Sequence, residues 1–206
     1  MRVNRCVHCT AFPCLDVRHE RYAVPHRLFE QTAVKIVMVS EVAAPDAQDD
    51  YYTDPPGLFA QTTVQAFRDA GADVATIDDI LKLGIYLTTA VKCAKTAPGV
   101  ATATIETCSH LLEKELALFP NTRVLLLMGD VAIRAVNVIA RRIGEKPAVA
   151  RGSTYKIRHL VHTFQGKRVF PSYLQAGPSF FIERSKRAMI AEDISAALAL
   201  VRDHRQ

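Results

Sequence analysis

A chain of 206 residues is long enough for one domain with a full-sized hydrophobic core and too short for two comfortable domains. Hydrophobic residues make up 49% of the chain and charged residues 23%, which is ordinary for a globular protein, and no apolar run approaches the roughly 20 residues of a membrane helix. Composition therefore excludes a membrane-spanning protein, and the lack of an apolar stretch after Met1 predicts a cytoplasmic protein with reduced cysteines.

The formal net charge of +5 is concentrated in the second half of the chain. Between positions 141 and 168 there is one acidic residue, Glu145, and eight basic residues: Arg141, Arg142, Lys146, Arg151, Lys156, Arg158, Lys167 and Arg168. Such a cluster is typical of proteins that contact a phosphate backbone, because binding is favoured by Coulomb attraction and counterion release. A solvated basic face without a partner is the alternative, and charge alone leaves both open.

The predicted elements begin with a strand over residues 34–40, a continuous run of apolar, mostly β-branched residues that ends at Glu41. A loop rich in proline and aspartate follows. Residues 58–70 then have the pattern of a helix that Gly71 ends as a C-cap. Residues 73–83 have no clear pattern.

The rest of the chain continues the alternation of strands and helices. Residues 85–91 predict a second buried strand that runs directly into Lys92 and Cys93. Residues 104–119 predict a helix whose apolar face includes Cys108. Further strands are predicted over 123–128, 155–163 and 168–171, the last two joined by a turn at Gln165 and Gly166, and further helices over 131–143 and 183–202.

Strands that alternate with helices predict an α/β fold, in which a parallel sheet has helices on both faces. Ligands bind such sheets at the carboxyl ends of the strands. Glu41 and the segment that follows Phe170 both lie at such an end. No internal repeat or linker interrupts the pattern, so we expect residues 1–206 to form a single domain.

The cysteines form two distant pairs, Cys6 with Cys9 in a C-x-x-C spacing, and Cys93 with Cys108. Thiolates are soft ligands, and two pairs brought together by folding can hold a zinc ion or an iron-sulfur cluster almost equally well. Cys14 is left over, but it is close to Cys9 and could replace a member of the first pair. Free thiols are a weaker explanation, since Cys6 and Cys9 precede every predicted core element.

Five segments, in order and at compatible spacing, resemble the iron-sulfur uracil-DNA glycosylases, known as family 4 of the uracil-DNA glycosylase superfamily. The C-x-x-C pair is similar to the N-terminal cysteines of that family, and Cys108 is similar to its cysteine in the helix after the second strand. The other matching segments are residues 40–44 (Gly-Glu-Ala-Pro-Gly in the family), 89–93 (Asn-Val-Val-Lys-Cys), 125–132 (a strand and Gly-x-Val-Ala) and 169–174 (a strand and Pro-Thr-Tyr-His). The resemblance covers nearly the whole chain.

The resemblance implies a three-layer α/β/α fold with a four-stranded parallel sheet and a metal-binding segment, residues 1–30, packed on the core. It also implies a 4Fe-4S cluster on Cys6, Cys9, Cys93 and Cys108. On the residues alone, a structural zinc ion stays the alternative cofactor.

The same resemblance implies the residues of an active site. Glu41 would position water or stabilise the positively charged sugar, and Tyr52, with Tyr51 as the alternative, would stack on a flipped base. Phe180 and Phe181 would offer an apolar wedge to DNA, although we expect one of the two in the core. Two further groups are implied: Thr89, Ser172, Tyr173 and Leu174 around the base, and Gln175, Arg184, Lys186 and Arg187 against DNA.

Three positions depart from the family pattern. Leu174 replaces a histidine that stabilises negative charge on the departing uracil, and leucine cannot donate a hydrogen bond. Thr89 replaces an asparagine that reads the uracil edge, and it keeps only a hydroxyl. Residues 40–44 keep only Glu41 and one small residue of the family loop.

The sequence therefore leads to three hypotheses. The first is a DNA-repair glycosylase that flips a deaminated base such as uracil and hydrolyses its N-glycosidic bond, acting as a monomer on single- or double-stranded DNA. The second is a catalytically weak or inactive nucleic-acid-binding iron-sulfur protein of the same fold, which the residues at Leu174 and Thr89 favour. The third is an unrelated nucleotide-binding domain with a structural zinc ion.

Overall fold

A computed structural model describes residues 1–202. Its strands are β1 (Val17–Arg18), β2 (Ile36–Val42), β3 (Ile85–Val91), β4 (Ala94–Lys95), β5 (Val124–Met128), β6 (His162–Phe164) and β7 (Lys167–Ser172). Its helices are α1 (Leu58–Asp69), α2 (Ile77–Lys82), α3 (Thr102–Ala117), α4 (Asp130–Arg142), α5 (Thr154–Ile157), α6 (Ser179–Ile182) and α7 (Arg184–Arg202). Across these described residues, every helix is too short or too polar to cross a lipid bilayer.

The central sheet has the strand order β3-β2-β5-β7-β6, and its first four strands are parallel. Ile36 of β2 lies opposite both Ile85 of β3 and Val124 of β5, so the carboxyl ends of these strands meet at one edge. The expected parallel strands are therefore present. The expected total of four is too low, because β6 adds an antiparallel fifth strand beside β7.

Alternating side chains of the strands divide the interior into two cores. In β2, Val37 and Val39 pack in a core with residues of α3 and α4, whereas Ile36 and Met38 pack in a core with residues of α1, α2 and α7. Each face of the sheet is thus covered by helices, which confirms the α/β class and the three-layer arrangement.

The segment between α4 and β6 differs from its prediction. Residues 155–163 do not form one strand, since Thr154–Ile157 is a single helical turn and pairing with β7 begins at His162. Arg158, which follows this turn, is drawn into the interior, where its guanidinium donates to Asp193 at 2.8 Å. This buried ion pair depends on a residue far along the chain, so local strand propensity does not reveal it.

The unassigned residues 73–83 contain helix α2, which begins with a capping box. The Thr76 hydroxyl accepts from the Asp79 N–H at 3.2 Å, and the Asp79 carboxylate accepts from the Thr76 N–H at 3.0 Å. A helix this short carries too few apolar positions for a period to be read, which explains why the pattern was unclear.

The N-terminal residues pack on the face of the sheet that α3 and α4 cover. Val3 and Val7 are buried in that core, and β1 pairs antiparallel with β4 immediately after β3. The N-terminal cysteines are thereby brought beside the elements that carry Cys93 and Cys108.

Candidate active site and cysteine site

A cavity of about 260 Å³ lies at the carboxyl ends of β2 and β3, where parallel sheets bind their ligands. We call it the strand-end pocket. Three parts of the chain form its wall: the N-terminal segment, the loop after β2 and the end of β3. The residues that matter for its chemistry are Arg21, His26, Ala43, Asp50, Tyr52 and Thr89.

Tyr52 forms an aromatic wall of the strand-end pocket. Its hydroxyl donates to the Leu87 carbonyl at 2.8 Å and accepts from the Leu87 N–H at 3.2 Å, which fixes the ring against β3. Burial raises the pKa of Tyr52 well above its ordinary value, so the hydroxyl stays a donor. Tyr51 also borders the pocket, but its hydroxyl is committed to Ser40 and to Gln175 in the core.

Thr89 borders the pocket from the end of β3, in register with Ser40 of β2. Its hydroxyl has no hydrogen-bond partner among residues 1–202, whereas its carbonyl accepts from Lys92 Nζ at 2.5 Å. Thr89, which was expected to bind the base, therefore brings a hydroxyl without a partner to the wall of the pocket.

Asp50 is the pocket carboxyl that the sequence did not single out. Its Oδ1 accepts from the Tyr51 N–H at 2.6 Å, and Oδ2 has no partner among residues 1–202. Burial raises the pKa of Asp50, and the Tyr51 N–H and the Arg21 charge offset part of that shift. In the sequence Asp50 looks no different from the other aspartates of its loop, so only tertiary structure distinguishes it.

Glu41 points away from the strand-end pocket, toward the start of α4. Its Oε1 lies 3.4 Å from the Val131 N–H, at the positive end of a 13-residue helix. Gly129 makes room for it: its φ is +99°, and a Cβ there would lie 2.5 Å from Glu41 Oε1. Glu41 is at the expected edge of the sheet, beside the pocket rather than inside it.

The cysteines define a second cavity, of about 200 Å³, which we call the cysteine site. Cys9, Cys14, Cys93 and Cys108 all line it. Cys6 does not, because it is exposed and its sulfur lies 3.9 Å from the sulfur of Met1. The structure thus groups Cys14, and not Cys6, with the other three cysteines, which is the alternative that the sequence left open.

The four thiols of the cysteine site are spread around their cavity. In the described part of the chain, no three His, Cys, Asp or Glu side chains are close enough to hold one metal ion. The cysteines line one cavity, yet they are too far apart to bind a single ion. Both observations are met when the thiols face the same cavity without converging on one point. Burial raises the pKa of Cys93 to about 12, with Cys108 as the next cause, so thiolates here need a compensating positive charge.

A model of the uracil DNA glycosylase superfamily matches residues 29–192 of the chain. The protein belongs to the uracil-DNA glycosylase superfamily. The resemblance seen in the sequence is confirmed at the level of the superfamily.

One relative is the protein described as "Type-5 uracil-DNA glycosylase" of Thermus thermophilus, which is 29% identical over 125 residues. The aligned part covers 60% of this chain and 53% of the relative, so the chain spans about half the length of the curated relative that it matches. That relative is described as type 5, whereas the motifs in the sequence resemble family 4.

In this superfamily member, the segment after β7 does not enter the strand-end pocket. Ser172 is fully buried and its hydroxyl donates to Asp193 at 2.5 Å. Gln175 is also fully buried, and its amide donates to Ser40 and Tyr51, each at 3.1 Å. Neither side chain is free to bind a base or to meet a DNA backbone, so both expected roles are withdrawn.

Tyr173 and Leu174 are half-buried against the core that α1 and α7 form, and neither lines the pocket. Lys186 Nζ lies 5.5 Å from the centre of the Tyr173 ring and 2.7 Å from Glu183. The expected position of these two side chains around a base is therefore not reproduced by the structure.

The residues expected to contact DNA differ in whether they already form an ion pair within the protein. Arg187 binds Asp69, and Lys186 binds Glu183, whereas Arg184 is exposed and forms no ion pair with residues 1–202. The two phenylalanines divide as expected: Phe180 is 3% exposed and belongs to the core, whereas Phe181 is 49% exposed.

The basic residues between positions 141 and 168 also differ in whether they bind other groups of the protein. Four of its members bind within the protein: Arg141 to Glu106, Arg142 to Glu113, Arg158 to Asp193 and Arg168 to backbone carbonyls. The other four, Lys146, Arg151, Lys156 and Lys167, form no ion pair in the described chain. This second group meets a phosphate backbone without giving up an ion pair, so fewer of the eight charges are free than the sequence implied.

Proposed function

We propose that the protein is a DNA N-glycosylase that takes a deaminated base, uracil or a related one, into the strand-end pocket and hydrolyses its N-glycosidic bond. The observation that carries the proposal is the pocket itself. In a member of this superfamily, it joins an aromatic wall, a free hydroxyl and a carboxyl at the ligand-binding edge of the sheet.

Within the pocket, the base would stack on Tyr52 and present its polar edge to Thr89 and Asp50. The unpartnered Oδ2 of Asp50 is suited to accept from a ring N–H, and the Thr89 hydroxyl can donate to a carbonyl oxygen. These groups recognise and orient the base, because they lie inside the pocket where the base would sit.

Glu41 would act on the sugar. Hydrolysis breaks the bond between C1′ and the base nitrogen, joins a water oxygen to C1′ and transfers a proton to the departing base, while positive charge develops on the sugar. Glu41 Oε1 lies 3.4 Å from the Val131 N–H at the start of α4, and from this position Glu41 would stabilise the charge on the sugar or orient the water. The family's histidine donor to the departing base is absent, since Leu174 takes its place in the sequence and lies outside the pocket, and the loss of one such donor lowers a rate about 10²- to 10³-fold.

DNA would lie across the segment after β7. Phe181 offers an exposed ring for stacking or wedging, and Arg184 offers an unpaired charge to a phosphate. The exposed basic residues Arg151 and Lys156 would offer further charge to a phosphate backbone, whereas the buried Gln175 would not take part.

The cofactor would be a 4Fe-4S cluster held by Cys9, Cys14, Cys93 and Cys108. A zinc ion requires four sulfurs about 2.3 Å from one centre, whereas the cysteines of a cluster bind different irons and stand farther apart. The four cysteines line one cavity, and the family resemblance favours the cluster over the zinc ion there. The cluster would fasten the N-terminal segment to β3 and α3, and it supplies no step of the hydrolysis.

The test is incubation of the protein with single- and double-stranded oligonucleotides that carry uracil or hypoxanthine, followed by alkaline cleavage of abasic sites. Glu41→Gln is expected to lower the rate about 10²- to 10³-fold, and Asp50→Asn roughly tenfold through one weakened hydrogen bond. Asp54→Asn is the matched control, because Asp54 is an exposed aspartate of the same loop outside the pocket.

A second candidate function is a protein that holds a damaged base without cutting. Leu174 favours it, since the family's donor to the departing base is absent at that position. No abasic product above the Glu41→Gln background, together with DNA retained in a gel shift, would reject the glycosylase proposal and favour this one.

A further inference from the structure

We propose that Arg21 and Arg18 are positioning residues that hold the loop after β2 in the shape that forms the strand-end pocket. Both belong to residues 16–26, which we call the N-terminal strap. The identity of the pocket's ligand rests on the proposed function, whereas the contacts of the strap do not.

The N-terminal strap is fixed at its start to the segment after β3. The Asp16 carboxylate accepts from the Ala101 N–H at 2.7 Å, and the Asp16 carbonyl accepts from the Thr96 N–H at 3.1 Å. Farther along, β1 pairs with β4, and the Ala23 N–H donates to the Lys92 carbonyl at 2.7 Å. The strap is therefore anchored on both sides of its two arginines.

From this anchored position, the arginines reach across to the other wall of the pocket. Arg18 Nη2 donates to the Pro45 carbonyl at 2.6 Å, and Arg21 Nη2 donates to the Ala44 carbonyl at 3.3 Å. The loop that carries these carbonyls also carries Asp50 of the pocket wall. Two donors from a fixed strap thus set the distance between the two sides of the cavity.

Each of the two guanidinium groups has an N–H without a hydrogen-bond partner. The Nε atoms of Arg18 and Arg21 are buried and have no partner within the described chain. A buried unpaired donor opposes folding, so local stability alone does not explain two of them in one short segment. A second role accounts for the presence of these two arginines. They place the loop, and Arg21 also places its charge beside the pocket.

Arg21 also acts on Asp50 through its charge. It is one of the groups that lower the pKa of this buried carboxyl, against the larger opposite effect of burial. The titratable groups that face Asp50 are Arg21, His26, Lys92, Tyr51 and Tyr52. Of these, only Arg21 also bonds the backbone of the loop, so it links the shape of the pocket to the charge within it.

The experiment compares Arg18→Met, Arg21→Met and Arg21→Lys, with Arg27→Met as the control. Arg27 binds Asp78 at 2.6 Å and does not line the pocket. Hydrogen exchange of residues 43–53, without DNA, is expected to be roughly tenfold faster in both methionine variants of the strap, the change that one lost hydrogen bond gives. Arg27→Met is expected to leave this exchange unchanged.

The second readout is the titration of the Asp50 carboxyl, followed by carbon NMR. Its midpoint is expected to move upward in Arg21→Met, to return toward wild type in Arg21→Lys, and to stay fixed in Arg18→Met. A purely structural role for Arg21 would leave the midpoint in place, and that result, or unchanged exchange in Arg21→Met, would overturn the inference.

Both readouts are independent of excision. One outcome is that exchange and titration change as expected, but neither the wild type nor any variant releases a base. In that case the positioning role stands and the glycosylase proposal fails. If wild type excises uracil while exchange and titration stay unchanged in the variants, the glycosylase proposal stands and the positioning role fails.

Discussion

At the scale of single residues, the two carboxyl groups near the end of β2 occupy opposite environments. Glu41 lies at the start of α4, where its Oε1 is 3.4 Å from the Val131 N–H. Asp50 lies inside the strand-end pocket, where burial disfavours its charged form and raises its pKa. The two positions suit the roles proposed for these residues, Glu41 beside the sugar and Asp50 against the base, and the burial of Asp50 has a measurable consequence for stability.

Asp50→Asn is expected to raise the free energy of unfolding at neutral pH. Because the folded protein holds the Asp50 proton more tightly than the unfolded chain, stability falls as the pH rises from the unfolded pKa of about 3.9 through the raised folded pKa. The variant removes this loss and keeps an acceptor for the Tyr51 N–H. Urea unfolding at several pH values should show a gain that disappears below about pH 4, whereas Asp54→Asn should show none.

Lys92 and Glu115 form a fully buried ion pair between β3 and α3. Glu115 also accepts from the Tyr86 hydroxyl at 2.5 Å and the Thr88 hydroxyl at 2.9 Å, and Lys92 donates to the Thr89 carbonyl. The pair therefore fixes the end of β3 from which Thr89 borders the strand-end pocket. Neither charged group is exposed to water, so removal of one partner would leave the other buried without a counter-charge.

Lys92→Met is expected to lower the free energy of unfolding by about 3–5 kcal/mol, because it leaves Glu115 charged and buried. The double variant Lys92→Met with Glu115→Gln should regain part of this loss, since glutamine still accepts from the two hydroxyls. Urea denaturation measures both, with the exposed Arg141→Met as a control expected to change stability by less than about 1 kcal/mol. A double variant less stable than Lys92→Met would contradict this account.

At the scale of elements, long buried segments were predictable and short ones were not. Strands β2, β3 and β5 are rich in apolar and β-branched residues, and α3, α4 and α7 keep an apolar face over at least 13 residues, so each carries its own pattern. By contrast, α5 and β6 depend on Arg158 reaching Asp193 of α7. The pairing of β1 with β4 depends likewise on residues about 80 positions apart.

The segment after β7 contains two neighbouring phenylalanines with opposite environments, which gives a matched pair of substitutions. Phe180→Ala is expected to cost about 3–5 kcal/mol of stability, because it empties a buried site. Phe181→Ala should change stability by less than about 0.5 kcal/mol but weaken DNA binding roughly tenfold, the order expected of one lost stacking contact. Thermal unfolding and DNA titration at fixed salt separate the two effects.

The reverse outcome, a folded Phe181→Ala variant with unchanged DNA affinity, would remove this segment from the DNA interface. Arg184→Ala offers an independent check at the same surface, because a lost phosphate contact reduces the salt dependence of binding by a slope of about 1. Arg187→Ala should not do so through DNA, since Arg187 already binds Asp69.

At the scale of the whole molecule, the N-terminal segment joins the two candidate sites. Tyr22 borders both the strand-end pocket and the cysteine site, and its hydroxyl accepts from the Cys9 N–H at 3.0 Å. The cysteine site therefore holds one end of the segment that forms a wall of the pocket. The sequence predicted the metal segment and the strand-end site separately, because their connection exists only after folding.

The choice between Cys6 and Cys14 decides how this segment is fastened to the core. Spacing favoured Cys6, since C-x-x-C is the familiar arrangement of ligands, but the turn over Val3–Arg5 leaves Cys6 exposed beside Met1. Cys14 follows a sharp bend at Phe12, whose φ is +43°, and lines the cysteine site. A backbone bend of this kind has no signature in the cysteine spacing.

Cys14→Ser and Cys6→Ser are therefore expected to behave differently, although both remove one N-terminal thiol. In anaerobically purified protein, Cys14→Ser should lose iron and acid-labile sulfide and melt at a lower temperature, because three ligands hold a cluster and the N-terminal segment less firmly. Cys6→Ser should keep the metal content and melting temperature of wild type. Equal loss in both variants would return Cys6 to the ligand set, and zinc without sulfide in wild type would replace the cluster with a zinc ion.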